Sequence, residues 1–169
     1  MDVNRTSRRS IPFEFACAGW NGRKAVERKW KRNWEGAMLT GGCLCGKIRY
    51  EISGEAIGNT VCHCADCRRA SGAPLVGWMS VARAAFRFVA GAPKTYASSA
   101  QVERSFCSDC GTPLIYRNAA FADEVDVATG TLDNPDEAPP EHHTWTSQQL
   151  EWIRLADGLP RYPRGYPET

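Results

Sequence analysis

No stretch of the 169 residues approaches the ~20 consecutive apolar residues of a membrane-spanning helix, so no membrane association is expected. Histidine is scarce, with three in all, and neither a Ser–His–Asp grouping nor a carboxylate pair stands out. There is no glycine-rich phosphate loop and no internal repeat beyond short cysteine pairs. Hydrolysis by an activated serine and nucleotide-phosphate binding therefore have no visible machinery. An export signal is also lacking. Arg8-Arg9 before Ile11-Pro12-Phe13 has a twin-arginine look, and Ala16-Cys17-Ala18 could pass for a cleavage site. A signal needs an apolar stretch of about 7–15 residues, however, and Pro12, Glu14 and Arg23-Lys24 break up the only candidate. The expected location is cytoplasmic.

Charge is not dominated by either sign overall, with a net of +2, but it is unevenly spread. Residues 1–37 hold nine Lys/Arg against four Asp/Glu, while residues 38–169 hold twelve against fifteen. The chain thus divides into a basic leader, 1–37, and a mildly acidic body, 38–169. In the leader, Val26, Trp30 and Trp34 recur every fourth residue within Arg23–Glu35, which permits a basic amphipathic helix suited to nucleic acid or another acidic surface. Met38 stands immediately before the first cysteine group, and the leader is expected to be poorly ordered.

From Leu39 onward the texture is that of short strands broken by Gly and Pro. Lys47–Ile52, Leu75–Val81, Phe86–Val89, Lys94–Ala97, Val102–Phe106, Leu114–Tyr116 and Val125–Thr129 read as strands. Gly54, Gly58, Gly72, Gly91 and Gly111 read as turn signals between them. Ala65–Ala70 is the one good helix candidate in the body, stopping at Ser71-Gly72. A mainly β fold with one short helix is expected. After Asn134-Pro135 the chain is Pro-rich and reads as an ordered wrap, with Leu150–Ile153 as a packing element.

What the chain has in excess is cysteine. Eight residues in a chain without an export signal point to reduced thiols and, where clustered, to metal. Cys17 stands alone, and the rest fall into three groups: Cys43-Leu44-Cys45, Cys62-His63-Cys64-Ala65-Asp66-Cys67 and Cys107-Ser108-Asp109-Cys110-Gly111. Zinc takes thiolate and imidazole ligands in a tetrahedron. A Cys-x-x-Cys turn brings two sulfurs to one side, and a Cys-x-Cys pair on an extended segment shares one face. Cys43, Cys45, Cys107 and Cys110 can therefore complete a closed, structural four-thiolate site. Cys62, Cys64 and Cys67 make three ligands, and the fourth would be His63, a distant group such as His142 or His143, water or a substrate. Three protein ligands with one exchangeable position are the catalytic pattern of zinc. Arg68 and Arg69 beside Cys67 could attract a substrate carboxylate or form a solvated helix end.

The ordered set Gly41-Gly42-Cys43-Leu44-Cys45-Gly46, Cys62-His63-Cys64-Ala65-Asp66-Cys67-Arg68 and Phe106-Cys107-Ser108-Asp109-Cys110-Gly111-Thr112-Pro113-Leu114 resembles the glutathione-dependent formaldehyde-activating enzyme family, which also contains centromere protein V. The likeness continues through Ser71-Gly72-Ala73-Pro74, Gly130-Thr131-Leu132-Asp133, His143-Thr144-Trp145, Trp152 and Asp157-Gly158-Leu159-Pro160, spanning roughly residues 39–163. It implies a β-tent fold of short antiparallel strands with two zinc ions per chain. Cys43, Cys45, Cys107 and Cys110 would hold the structural ion, and Cys62, Cys64 and Cys67 the catalytic one. It further implies carbon–sulfur lyase activity, in which glutathione and formaldehyde combine reversibly into S-hydroxymethylglutathione.

The expected function is thus a zinc-dependent carbon–sulfur lyase acting on a thiol such as glutathione and a small carbonyl such as formaldehyde. The alternative is a non-enzymatic zinc module that contacts nucleic acid or protein through its basic leader; nucleic acid is the less expected partner. A third reading, redox sensing through oxidation of the three open thiolates, is weaker still.

Overall fold

The structure, a computed structural model, describes residues 38–166. The basic leader with its candidate helix, and Cys17, lie outside the described residues.

Among the described residues ten strands form two sheets, accompanied by one short α-helix, so the mainly β expectation holds. The smaller sheet has three antiparallel strands, β1 (Met38–Gly42), β2 (Arg49–Ser53) and β5 (Phe86–Ala90), with β2 in the middle. Along β2 the alternation is clean: Tyr50 and Ile52 are buried and their neighbours are not. The larger sheet runs β10 (His142–Thr144), β3 (Ala56–Cys62), β4 (Val76–Ala82), β9 (Glu124–Ala128), β8 (Pro113–Asn118), β7 (Val102–Phe106) and β6 (Lys94–Ala97). All its pairings are antiparallel except β10 with β3, which is parallel. The expectation of short antiparallel strands holds apart from this one edge strand. The Pro-rich segment before β10 carries the chain back to the sheet edge in the same direction as β3, which a tight hairpin could not do.

Register decides which residues meet. Met79, Val127 and Ile115 stand side by side across β4, β9 and β8. They pack with Leu39, Tyr50, Ile52, Val81 and Leu114 into the core shared with the small sheet. One residue out of phase, Trp78, Ala128 and Tyr116 lie on the opposite face, where they pack with Cys62, Cys64 and Cys67. A sheet with both faces covered explains why these strands are only partly alternating in sequence.

β1, β3 and β10 have no counterpart among the expected strands, and glycine explains two of them. Gly41 and Gly42 sit inside β1 because a side chain there has no room: a Cβ on Gly41 would come within 2.3 Å of the Tyr50 hydroxyl, and one on Gly42 within 2.3 Å of the Ile48 carbonyl. Gly58 lies at a register shift between β3 and β4, a bulge and not the end of a strand. β10 is three residues long, too short for any periodic signal.

The helix α1 (Ala65–Ser71) behaves as its sequence implies. Cys64 caps its start, its Sγ accepting from the Cys67 amide at 3.3 Å, and Gly72 ends it in the left-handed region at φ 69°. Leu150–Ile153 is a turn and not a packing element, and Trp152 is 69% exposed. Among the described residues no helix is long and apolar enough to cross a membrane.

Candidate metal centres and the clefts beside them

Two turns of similar build bring the first four cysteines together. After β1 the chain turns so that the Cys43 amide donates to the Ile48 carbonyl and the Gly46 amide to the Cys43 carbonyl. After β7 the Cys107 amide donates to the Thr112 carbonyl and the Gly111 amide to the Cys107 carbonyl. Gly46 and Gly111 take φ of 76° and 75°, a conformation that a side chain would disfavour. The Leu44 amide bonds the Thr112 hydroxyl at 3.1 Å, and Lys47 pairs with Asp109 across the two turns.

Cys43, Cys45, Cys107 and Cys110 thereby place their sulfurs within 4.8 Å of one another. Cys43 and Cys45 stand 3.4 Å apart, and Cys45 and Cys107 3.8 Å apart. A tetrahedral ion with Zn–S bonds of ~2.3 Å requires sulfurs roughly 3.8 Å apart, so the set fits zinc. Thr112, through its hydroxyl and then its amide, lowers the Cys110 thiol to about 5. Cys45 is helped by the Lys47 amide but opposed by Cys43 and by burial, and ends at about 12. Sulfurs this close cannot all carry charge unless a cation sits among them.

The other three cysteines converge on the outer face of the large sheet. Cys62 ends β3, Cys64 caps α1 and Cys67 lies one turn into it; all three are buried and their sulfurs lie within 4.8 Å of one another. Hydrogen bonds from Cys64 and Cys67, followed by burial, push the Cys62 thiol well up. Cys67 is eased by Cys62 but opposed by Cys64 and burial, and stands at about 12. Here too the donor set suits a soft or borderline dication such as zinc.

No further His, Cys, Asp or Glu among the described residues joins this trio. His63, flanked by two of the cysteines, is instead bound through Nε2 to Nδ1 of His143 at 3.0 Å. His143 in turn meets Asp157 through Nε2 at 2.8 Å. Both imidazoles are fully buried, and they tie the cysteine loop to β10 and to the tail. His142 packs against the rings of Tyr162 and Tyr166. Of the two arginines singled out from the sequence, Arg68 is held down by the carbonyls of His63 and Gln148, whereas Arg69 lines a cleft.

Burial, then the charges of His143, Arg161 and Arg68, lower the His63 imidazole to about 4. An unfolded histidine titrates near 6.5, so between pH 6.5 and 4 the unfolded chain binds a proton here that the native chain refuses. Stability is lost on acidification through that window, by about 3 kcal/mol. Denaturant melts of His63→Gln beside wild type are expected to show the wild-type advantage shrinking by about that amount from pH 7 to pH 4. Zinc content is measured on every sample, and only samples that retain it are compared.

Two cavities meet at the trio. The larger, about 1010 Å³, runs between α1 and β6–β8 and is lined by Asp66, Cys67, Arg69, Trp78, Lys94 and Arg104, among others. The smaller, about 60 Å³, is walled by Thr60, Cys62, Cys67, Trp78, Tyr116 and Trp145. Spacing along the chain gave no sign of these walls; only the outward phase of Trp78 and Tyr116 on β4 and β8 hints at them.

A small, mainly β protein with one closed and one incomplete cluster of thiols, the latter at a cleft, is thereby defined. Residues 38–148 match the family described as "Glutathione-dependent formaldehyde-activating enzyme", and the chain belongs to it. A Halomonas elongata protein named "Putative glutathione-dependent formaldehyde-activating enzyme" is 26% identical over 141 residues, covering 78% of this chain and 90% of its own. The crystal structure of a Rhodobacter sphaeroides protein is 20% identical, with a TM-score of 0.48, over 73% of this chain and 98% of that one. That last likeness is too slight to carry an argument.

Proposed function

We propose that the chain is a zinc-dependent carbon–sulfur lyase that joins a thiol, glutathione in the first instance, reversibly to a small carbonyl such as formaldehyde. Cys62, Cys64 and Cys67 hold the catalytic ion, and Cys43, Cys45, Cys107 and Cys110 hold a structural one. The observation that carries this reading is the incomplete donor set: three buried sulfurs lie within 4.8 Å of one another, no fourth His, Cys, Asp or Glu among the described residues joins them, and a cleft opens at Cys67. The family's description, in naming both glutathione and formaldehyde, supports the same reading.

A zinc ion in the trio supplies positive charge that favours the thiolate form of an incoming thiol. The thiolate sulfur attacks the carbonyl carbon; a C–S bond forms, the C=O π pair moves to oxygen, and that oxygen takes up the proton which the thiol gave up. The reverse reaction breaks the same bond. The chain's own part is to align the two reactants. Cys67 borders both cavities, so a thiol entering along the cleft arrives beside the small pocket, and holding reactants at contact distance lowers the barrier by removing the search for each other. His63, His143 and Asp157 keep the cysteine loop in place from behind without entering the site.

Magnetisation-exchange NMR with labelled formaldehyde and glutathione tests this directly. With two zinc ions per chain, the protein is expected to speed exchange between free and glutathione-bound formaldehyde above the spontaneous rate. An exchange rate equal to the uncatalysed one, with glutathione and with other thiols, rejects the lyase reading.

A further inference from the structure

Building on that reading, we infer that the two cavities divide the reactants between them, and that the Trp145 ring is the wall restricting the small pocket to a carbonyl of a few heavy atoms. The large cleft takes the anionic thiol.

The sizes assign the roles. A cavity needs roughly 10–15 Å³ of such volume to hold one water, so the pocket of about 60 Å³ holds a molecule of a few heavy atoms and no peptide. The cleft of about 1010 Å³ is as large as the roomiest small-molecule sites. Its lining contributes three cations, Arg69, Lys94 and Arg104, against one carboxylate, Asp66. That balance suits a thiol that carries carboxylates, attracted over its whole length while its sulfur reaches Cys67. Because Cys67 and Trp78 border both spaces, the sulfur of one occupant and the carbon of the other come to the same point.

The walls give the restriction. Around the small pocket stand four aromatic rings, Trp78, Tyr116, Trp145 and Tyr166. Trp78 and Tyr116 are anchored in strands, their ring centres 6.0 Å apart. Trp145 is held differently. Among the described residues it is the one non-glycine with positive φ, at 58°. That conformation is strained for a residue with a bulky side chain. Its amide donates to the Arg164 carbonyl at 2.8 Å, and the Gln148 amide donates back to its carbonyl at 3.0 Å, so the strained backbone is pinned on both sides. Strain kept in place at a cavity wall sets where the ring stands, and the ring packs against the cluster that includes Cys62, Cys67, Trp78 and Tyr116. A carbonyl carrying a ring or a long chain would have to displace it.

The test uses the zinc-loaded full chain and compares formaldehyde with benzaldehyde as partners for glutathione. Wild type is expected to favour formaldehyde by about 100-fold in kcat/KM beyond the uncatalysed preference. Trp145→Gly, which removes the ring and suits the positive φ, is expected to cut that preference at least tenfold by raising the benzaldehyde rate. Trp145→Phe, with a ring still in place, should keep most of it. Tyr166→Ala opens the pocket from the tail side and should move selectivity the same way, so the proposal does not hang on one variant folding well. Calorimetry supplies a readout independent of turnover. Glutathione affinity should stay within twofold in Trp145→Gly and fall at least fivefold in Arg69→Ala/Lys94→Ala, whose selectivity is unchanged. Equal use of both aldehydes by wild type, or selectivity unmoved in both pocket variants, overturns the inference while leaving the lyase reading intact. The absence of any rate gain with either aldehyde overturns both.

Discussion

Chelation at neutral pH is expected to unfold the region from residue 39 to 118, with the melting temperature falling by more than 15 °C and the cooperative transition broadening or vanishing. The reason lies in what the four-cysteine site joins. Cys43 and Cys45 belong to the turn that ends β1 in the small sheet, and Cys107 and Cys110 to the turn between β7 and β8 in the large one. An ion held by these four would therefore clasp two sheets across a separation of 62 residues between Cys45 and Cys107. Structural zinc contributes about 10–16 kcal/mol in small peptides, against a net stability of ~5–15 kcal/mol for an ordinary domain. The direct contacts between the two turns are modest. The Leu44–Thr112 hydrogen bond contributes about 1 kcal/mol, and the solvent-exposed Lys47–Asp109 pair adds little. Without the ion, moreover, four sulfurs at contact distance lose the cation that lets them all carry charge together. Circular dichroism and calorimetry before and after chelation, with zinc content measured on the same samples, decide the matter. A melting temperature unchanged after confirmed loss of zinc sinks the structural role.

Replacing Cys64 separates the second site from the first. Cys64→Ala is expected to bring exchange between free and glutathione-bound formaldehyde down to the spontaneous rate, and zinc content from two ions per chain to one. The fold should survive with a fall of a few degrees in melting temperature. Cys64 is wholly buried at the centre of the trio, so its loss leaves two sulfurs, Cys62 and Cys67, which do not hold zinc firmly. The same Sγ caps α1, and losing a cap costs about 1 kcal/mol. That is a small fraction of the domain's stability and much less than the loss expected at the four-cysteine site. The contrast is the test. Two zinc ions per chain in Cys64→Ala, or wild-type exchange rates, would place the chemistry elsewhere.

Much of the site was legible because metal ligands are constrained locally. Cys-x-x-Cys at 107–110 needs a turn with Gly111 after it, and Cys64 to Cys67 needs a helical turn; both are written in a few adjacent residues. Strands β2, β4, β5, β6, β7, β8 and β9 were legible for a similar reason, since each carries β-branched or aromatic residues between turn signals. β1 and β3 were not, because glycine has two uses. At Gly46 and Gly72 it permits a positive φ that ends an element, whereas at Gly41 it sits within a strand to leave room for the Tyr50 hydroxyl from β2. A sequence read from left to right shows the glycine but not the neighbour that needs the space. The fate of His63 shows the same limit. Its neighbours suggested a fourth ligand, yet His143, 80 residues away, takes its ring.

The sequence by itself determined that this is a mainly β chain of the formaldehyde-activating family, with seven cysteines in groups spaced for metal. These are local facts, settled by turns of three to six residues. Only the tertiary structure decided that four of the sulfurs meet across two sheets, and that the other three face a cleft where no fourth His, Cys, Asp or Glu among the described residues joins them. It also decided that Trp78, Tyr116 and Trp145 enclose the pocket beside them. Those arrangements come from strand register and from the return of β10 beside β3, where a slip of one residue would turn each of these strand side chains to the other face.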